Sequence, residues 1–296
     1  MKKINFGLLH AGLTLLFGIV GGIWVYTVLN KYSVAKTSLL TMPKSVSVAV
    51  SVFIVAGIIC SVVLKILSNK RDGEKNPMPK YVHVISAVFL IISGVAGIIS
   101  VVSGMVDFTV LRSENTTVWL YKAGVILTSL LSAASSVYFI FKINGDADKA
   151  EKASLVIPLW LIMMIATSYF NITFTYTNFH RALLNISLAA MTLFFMSQTR
   201  EVIERKFSVL RAISSSASIL IGTIYILSRV IYLVSSGAPV MFSDLLEISL
   251  IGIVFFIVMT DFFSANEITD LPDQAAESID DNTISSEVDT SNNTEE

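Results

Sequence analysis

Arg229 and Glu247 are charged residues set inside long apolar runs, IGTIYILSRVIYLV and DLLEISLIGIVFF. Ionisable groups at such depth are costly, and they face a partner or a water-filled cavity. Arg229 lies about seven residues below one end of the apolar run 209–235, roughly 10 Å at a rise of about 1.5 Å per residue. Glu247 lies about five residues into the run 243–264 from the same side. The linker SSGAPVMF is short, so the two runs form an antiparallel hairpin, and an ion pair between them is expected.

The stretch Ser168–Arg181, SYFNITFTYTNFHR, alternates apolar and polar residues like a strand. A lone strand would leave its backbone donors and acceptors unpaired in lipid. Read as a helix, it places Tyr169, Thr173, Tyr176 and His180 on one face. These four would form one wall of a polar, aromatic-lined pocket. Asn185, Tyr225, Arg229, Tyr232 and Glu247 would complete it. The chemistry is recognition of a small ligand or lipid, held by charge and aromatic surface. The plainer alternative is an interfacial aromatic belt with one structural ion pair. A third use of the same residues takes Glu247 or His180 as acid or base for an intramembrane lipid-modifying enzyme.

No phosphate loop, G-x-G-x-x-G, G-x-S-x-G or H-E-x-x-H occurs. His10 and His83 fall near helix ends on one side and His180 near the other, with no third ligand at recognisable spacing, so they read as interface histidines. The single cysteine, Cys60, offers no internal disulfide and no cysteine-based metal site, and reads as a packing residue. No catalytic residue, metal or cofactor is expected. The N-x-[ST] triplets at Asn115, Asn171, Asn185 and Asn292 read as chance matches, two of them at or within apolar runs.

The elements that must position the pocket follow from composition. Apolar residues make up 54% of the 296 positions and charged residues 15%, too apolar for a domain with a solvated surface. A hydrocarbon core of about 30 Å needs about 20 apolar residues per helix. Eight such segments can be marked, near 5–29, 46–67, 81–105, 117–141, 154–176, 181–199, 209–235 and 243–264. The expected fold is all-α, a polytopic transmembrane bundle over 1–264. The N-terminal run continues past Trp24 and Tyr26 without a cleavage site, and so reads as a first helix, not a signal peptide.

Lysine and arginine set the orientation. With the N-terminus inside, fourteen basic residues flank the inner helix ends, Lys65 among them, against five outside: Lys31, Lys36, Lys44, Arg112 and Arg181. Both termini are then cytoplasmic, with Trp24 and Trp119 at the outer interface and Tyr81 and Trp160 near the inner one. From Asp261 onward eleven acidic residues stand among Ser, Thr, Asn and Gln, and 265–296 reads as a disordered acidic tail. The tail either solvates the end of the chain or associates with the basic inner loops.

LLNISLAAMTLFF from 183 and LLEISLIGIVFFI from 245 share six residues in thirteen, which suggests duplicated two-helix hairpins. Small residues at four-residue spacing, as in Gly18/Gly22 and Ser218/Gly222, let helix backbones approach closely. The chain reads as a noncatalytic membrane protein binding a small ligand or lipid from the outer side, as a permease-like or sensor-like component. The alternative is a structural or assembly subunit. Expected partners are the lipid bilayer, the ligand or lipid, and a membrane protein or second copy against the small-residue faces. No nucleic acid is expected.

Overall fold

Apolar runs without interior proline fold here as helices, because in lipid every backbone N–H and C=O must be satisfied within the segment. The computed structural model describes residues 6–32, 44–69, 78–102, 116–170, 179–204, 209–236 and 242–263. Among them are α1 (Phe6–Tyr32), α2 (Lys44–Asn69), α3 (Lys80–Val102), α4 (Thr116–Asn144), α5 (Ala147–Ala153), α6 (Val156–Phe170), α7 (Phe179–Glu204), α8 (Val209–Ser236) and α9 (Phe242–Phe263). Eight of these match the eight expected segments. The ninth, α5, is a seven-residue helix that the apolar pattern does not mark.

The α4–α5 break has a local cause. Gly145 takes a φ of 81°, a left-handed conformation that glycine adopts without steric cost. The Asp146 N–H reaches the carbonyl of Phe141 at 3.0 Å, and the Gly145 N–H that of Lys142 at 3.4 Å, so the last carbonyls of α4 are satisfied. Pro158 then sits in the first turn of α6, where its missing N–H disturbs nothing.

The helices run alternately up and down. α8 touches α1, α2, α7 and α9, while α9 also packs on α1 and α3, and the chain of contacts continues from α3 through α4 and α6 to α7. Two close approaches set this arrangement. A Cβ on Gly18 or Gly22 would stand 2.7 Å from Thr223 or 3.0 Å from Leu227, so α1 lies against α8 almost backbone to side chain. A Cβ on Gly94 would come within 2.8 Å of the Ser129 carbonyl oxygen, which locks α3 to α4. Small residues thus serve packing between helices of this chain.

The core is aromatic and aliphatic, with Trp160, Phe139, Phe194, Phe195 and Phe256 fully buried. Phe195 stacks on Phe256 at 5.8 Å, and Phe139 meets Phe256 edge-on at 5.0 Å. The two similar segments bury equivalent positions: Ser187, Leu188, Met191 and Phe194 on α7 correspond to Ser249, Leu250, Ile253 and Phe256 on α9. Their shared pattern is therefore a shared buried face.

Outward, the bundle is apolar too. Val48, Val52, Val55, Ile59, Val63 and Leu67 form an exposed stripe along α2, each at least half exposed. Such a surface is stable against lipid, not water. Among the described residues, seven helical stretches are long and apolar enough to cross a membrane, from Leu8–Val28 to Val209–Ser235. The protein is an integral membrane protein built as a helical bundle.

Three sequence expectations are corrected. Trp160 is fully buried in the core and does not face outward, because the face of α6 that carries it turns toward the neighbouring helices. Cys60 is exposed and not packed, because α2 meets its neighbours along one narrow face. His10 and His83 lie near the starts of α1 and α3 as expected, but their side chains are buried among neighbouring helices. The segment 171–178 and the tail 265–296 lie outside the described residues.

Candidate functional site

At the end of the bundle where α6 and α8 finish, polar side chains converge from five helices. His180, buried at the start of α7, lies with its ring 5.2 Å from that of Tyr225 on α8, within electrostatic reach of Arg229. The Arg229 guanidinium stands 5.8 Å from the centre of the Tyr232 ring. Asn185 accepts a hydrogen bond from the Ser168 hydroxyl at 2.8 Å, joining α7 to α6. Glu247 on α9 is within electrostatic reach of Tyr121 on α4.

Of the nine residues expected to form a pocket, His180, Tyr225 and Arg229 are thus brought together. Asn185 and Glu247 stand at the same end through contacts to other helices. Tyr169 and Tyr232 are partly exposed at its margin. Thr173 and Tyr176 fall outside the described residues. Three residues join the group without having been singled out from the sequence. Arg181 is buried, donates to the Ser168 carbonyl and lies 5.3 Å over the Tyr169 ring, while Ser168 and Tyr121 supply a hydroxyl each. Arg181 had the appearance of a loop residue because it begins a helix.

The opposite end holds a second polar cluster, denser than the first. Asp261, which the sequence presents as the first acidic residue of the tail, belongs to α9, and its side chain is 0% exposed. Lys65 of α2 donates to Asp261 Oδ1 and, at 2.8 Å, to the hydroxyl of Ser215 on α8. His10 of α1 places Nδ1 3.5 Å from Asp261 Oδ2. Its Nε2 lies 2.9 Å from Ser61 Oγ and 3.1 Å from Ser216 Oγ. Arg211 of α8 acts electrostatically on Asp261 and stands 5.9 Å from the Phe194 ring centre.

The local sequence explains the convergence. His10 and Thr14 on α1, and Ser61 and Lys65 on α2, are polar pairs four residues apart, so each pair projects from one face. All lie at the ends of α1, α2, α8 and α9 that meet at this side.

Against protein-family models, curated proteins and solved structures, the chain matches none. Function must then be read from these two clusters. Among the described residues, no three His, Cys, Asp or Glu side chains come together as a metal-holding group. The α1-start cluster offers a carboxylate, an imidazole and several hydroxyls that are buried, with one ammonium at the edge of solvent, an arrangement suited to moving a proton. The other cluster offers cationic, aromatic and amide groups near the surface, an arrangement suited to holding a small polar molecule.

Proposed function

We propose that the protein is a noncatalytic, multi-pass cell-membrane protein with both termini cytoplasmic. In this reading it binds a small ligand or lipid from the outer side, as a permease-like or sensor-like component. The observation that supports it is the gathering of His180, Tyr225 and Arg229, with Arg181 and Tyr169 beside them, at one end of an otherwise apolar bundle. Charged groups in such a setting face a partner or water. Arg229 and Glu247, on contacting helices α8 and α9, would offer opposite charges to a zwitterionic guest. The orientation rests on the fourteen-to-five excess of basic residues at the inner ends.

The test is a thermal-shift series on the full chain in nanodiscs with small zwitterions: amino acids, betaine and phosphocholine. At least one should raise the melting temperature of the wild type and have no effect on Arg229→Ala or Glu247→Ala. Equal shifts in all three proteins, or none in any, would end the proposal. Orientation is checked separately. A cysteine near 237 should react with an impermeant thiol reagent in intact cells, and one placed at 70–79 should not.

A further inference from the structure

The hydrogen bonds around His10 can be assigned a direction, and the assignment leaves one proton unaccounted for. The Thr14 hydroxyl lies 2.7 Å from the His10 carbonyl oxygen. A carbonyl only accepts, so Thr14 donates its single hydrogen there. Thr14 Oγ1 is also hydrogen-bonded to Ser61 Oγ, and with its own hydrogen spent it must accept. Ser61 therefore donates to Thr14. The 2.9 Å contact between Ser61 and His10 Nε2 then requires the nitrogen to donate. With one hydrogen per contact, the chain from Thr14 through Ser61 to His10 takes this polarity, and Ser216 Oγ at 3.1 Å can accept from the same N–H.

A neutral His10 with its hydrogen on Nε2 presents a lone pair at Nδ1. That lone pair faces Asp261 Oδ2 at 3.5 Å. Oδ2 is buried and has no hydrogen-bond partner among the described residues, whereas Oδ1 is held by Lys65. Two acceptors facing each other in a sealed site, one of them a carboxylate oxygen, are costly. One added proton removes the conflict.

We propose that the gap between His10 Nδ1 and Asp261 Oδ2 is a proton-binding site, with His10 as acceptor and Asp261 as counter-ion. Uptake of one proton from water forms the Nδ1–H bond, turns imidazole into imidazolium and adds one positive charge to the cluster. Both ring nitrogens then donate, Nε2 to Ser61 and Nδ1 to Asp261, and α1 is tied to α9. Release leaves the two acceptors opposed and weakens that tie. Lys65, 14% exposed where Asp261 is 0%, is the side from which water reaches the site.

The charged and titratable groups around it are settled by packing. α2 contributes Lys65 and α8 contributes Arg211, both opposing a further positive charge. α9 contributes Asp261, which favours it. From α3, packed on α9, His83 lies with its ring 5.8 Å from Phe256, and Lys142 of α4 is the cation within electrostatic reach of His83. This site does not depend on the ligand reading above.

The test uses the full chain in lipid nanodiscs, labelled with 15N-histidine and followed by NMR from about pH 9 to about pH 4. His10 is assigned among the three histidines by the signal lost in His10→Gln. At the alkaline end its shifts should report hydrogen on Nε2 and none on Nδ1; on acidification both nitrogens should become protonated. Asp261→Asn should lower the midpoint by at least about one pH unit, tenfold in proton affinity, and Lys65→Met should raise it. The wild-type tautomer needs no variant, so misfolding of either mutant leaves a decisive measurement. Hydrogen on Nδ1 at the alkaline end, absence of titration, or an unchanged midpoint in a folded Asp261→Asn protein would each overturn the proposal.

Discussion

Where α1 begins, His10, Lys65, Arg211 and Asp261 meet on four helices with hydroxyls between them; His10 and Asp261 are buried, and Lys65 and Arg211 reach the edge of solvent. Where α8 ends, His180, Arg181 and Arg229 are set among Tyr169, Tyr225 and Tyr232, with Tyr169 and Tyr232 partly exposed. The first cluster satisfies its charges almost wholly from within the chain. The second sets buried Arg181 and partly buried Arg229 near the rings of Tyr169 and Tyr232, which are exposed. A buried charge pair stripped of one partner is left uncompensated, whereas a partly exposed cation beside an aromatic ring can be rehydrated. The same residue types are therefore compensated from within the chain at one end and, in the proposed function, serve recognition at the other.

That contrast can be broken most easily at Lys65. Lys65→Met leaves the Asp261 carboxylate buried without its ammonium partner, and should cost about 3–5 kcal/mol. The measurement is unfolding of the purified protein in detergent or nanodiscs. Near wild-type stability would mean that water reaches Asp261 freely, and the distinction between the two ends would collapse.

A smaller effect is expected from Ser61→Ala, which removes two hydrogen bonds between α1 and α2, to Thr14 and to His10. A loss of about 1–3 kcal/mol should follow, the net worth of two ordinary hydrogen bonds. A loss as large as that of Lys65→Met would show that the hydroxyls, not the charges, hold this end together.

Arg229→Ala should sharpen the comparison from the other side. Its guanidinium is only partly buried and rests near an aromatic ring, so stability should fall by no more than about 1 kcal/mol. Ligand-induced stabilisation should nevertheless be lost. A loss of several kcal/mol in the unliganded protein would make this a second structural cluster.

The smallest effect belongs to Lys149, whose ammonium is 3.3 Å from Asp146 with both side chains exposed to water. Lys149→Ala should change stability by about 0–0.5 kcal/mol at low salt, and by less at high salt. It calibrates what a charge pair outside the bundle is worth in the same assay.

The helices were legible in the chain because lipid admits few alternatives: a run of about 20 apolar residues must close its own hydrogen bonds. Among the described residues, helices of 15 to 29 residues appear where the eight runs were marked, and the small-residue pair Gly18/Gly22 lies at a close helix contact. The break at Gly145 was less visible, because α5 is polar and short.

The candidate sites divide differently. Arg229 and Glu247 could be singled out because each interrupts an apolar run in its interior. Lys65 and Asp261 lie near the ends of their runs, where flanking charges normally meet water, so hydropathy assigns them to the surface. Composition and periodicity thus determined that this chain is a membrane-spanning helical bundle, since both depend on transfer of each segment into lipid. Which charges face each other is decided by helix rotation and neighbour choice. Those depend on long-range packing of α1 against α8 and of α9 against α1 and α3. Only that packing could place His10, Ser61 and Asp261, from three distant parts of the chain, around a single proton.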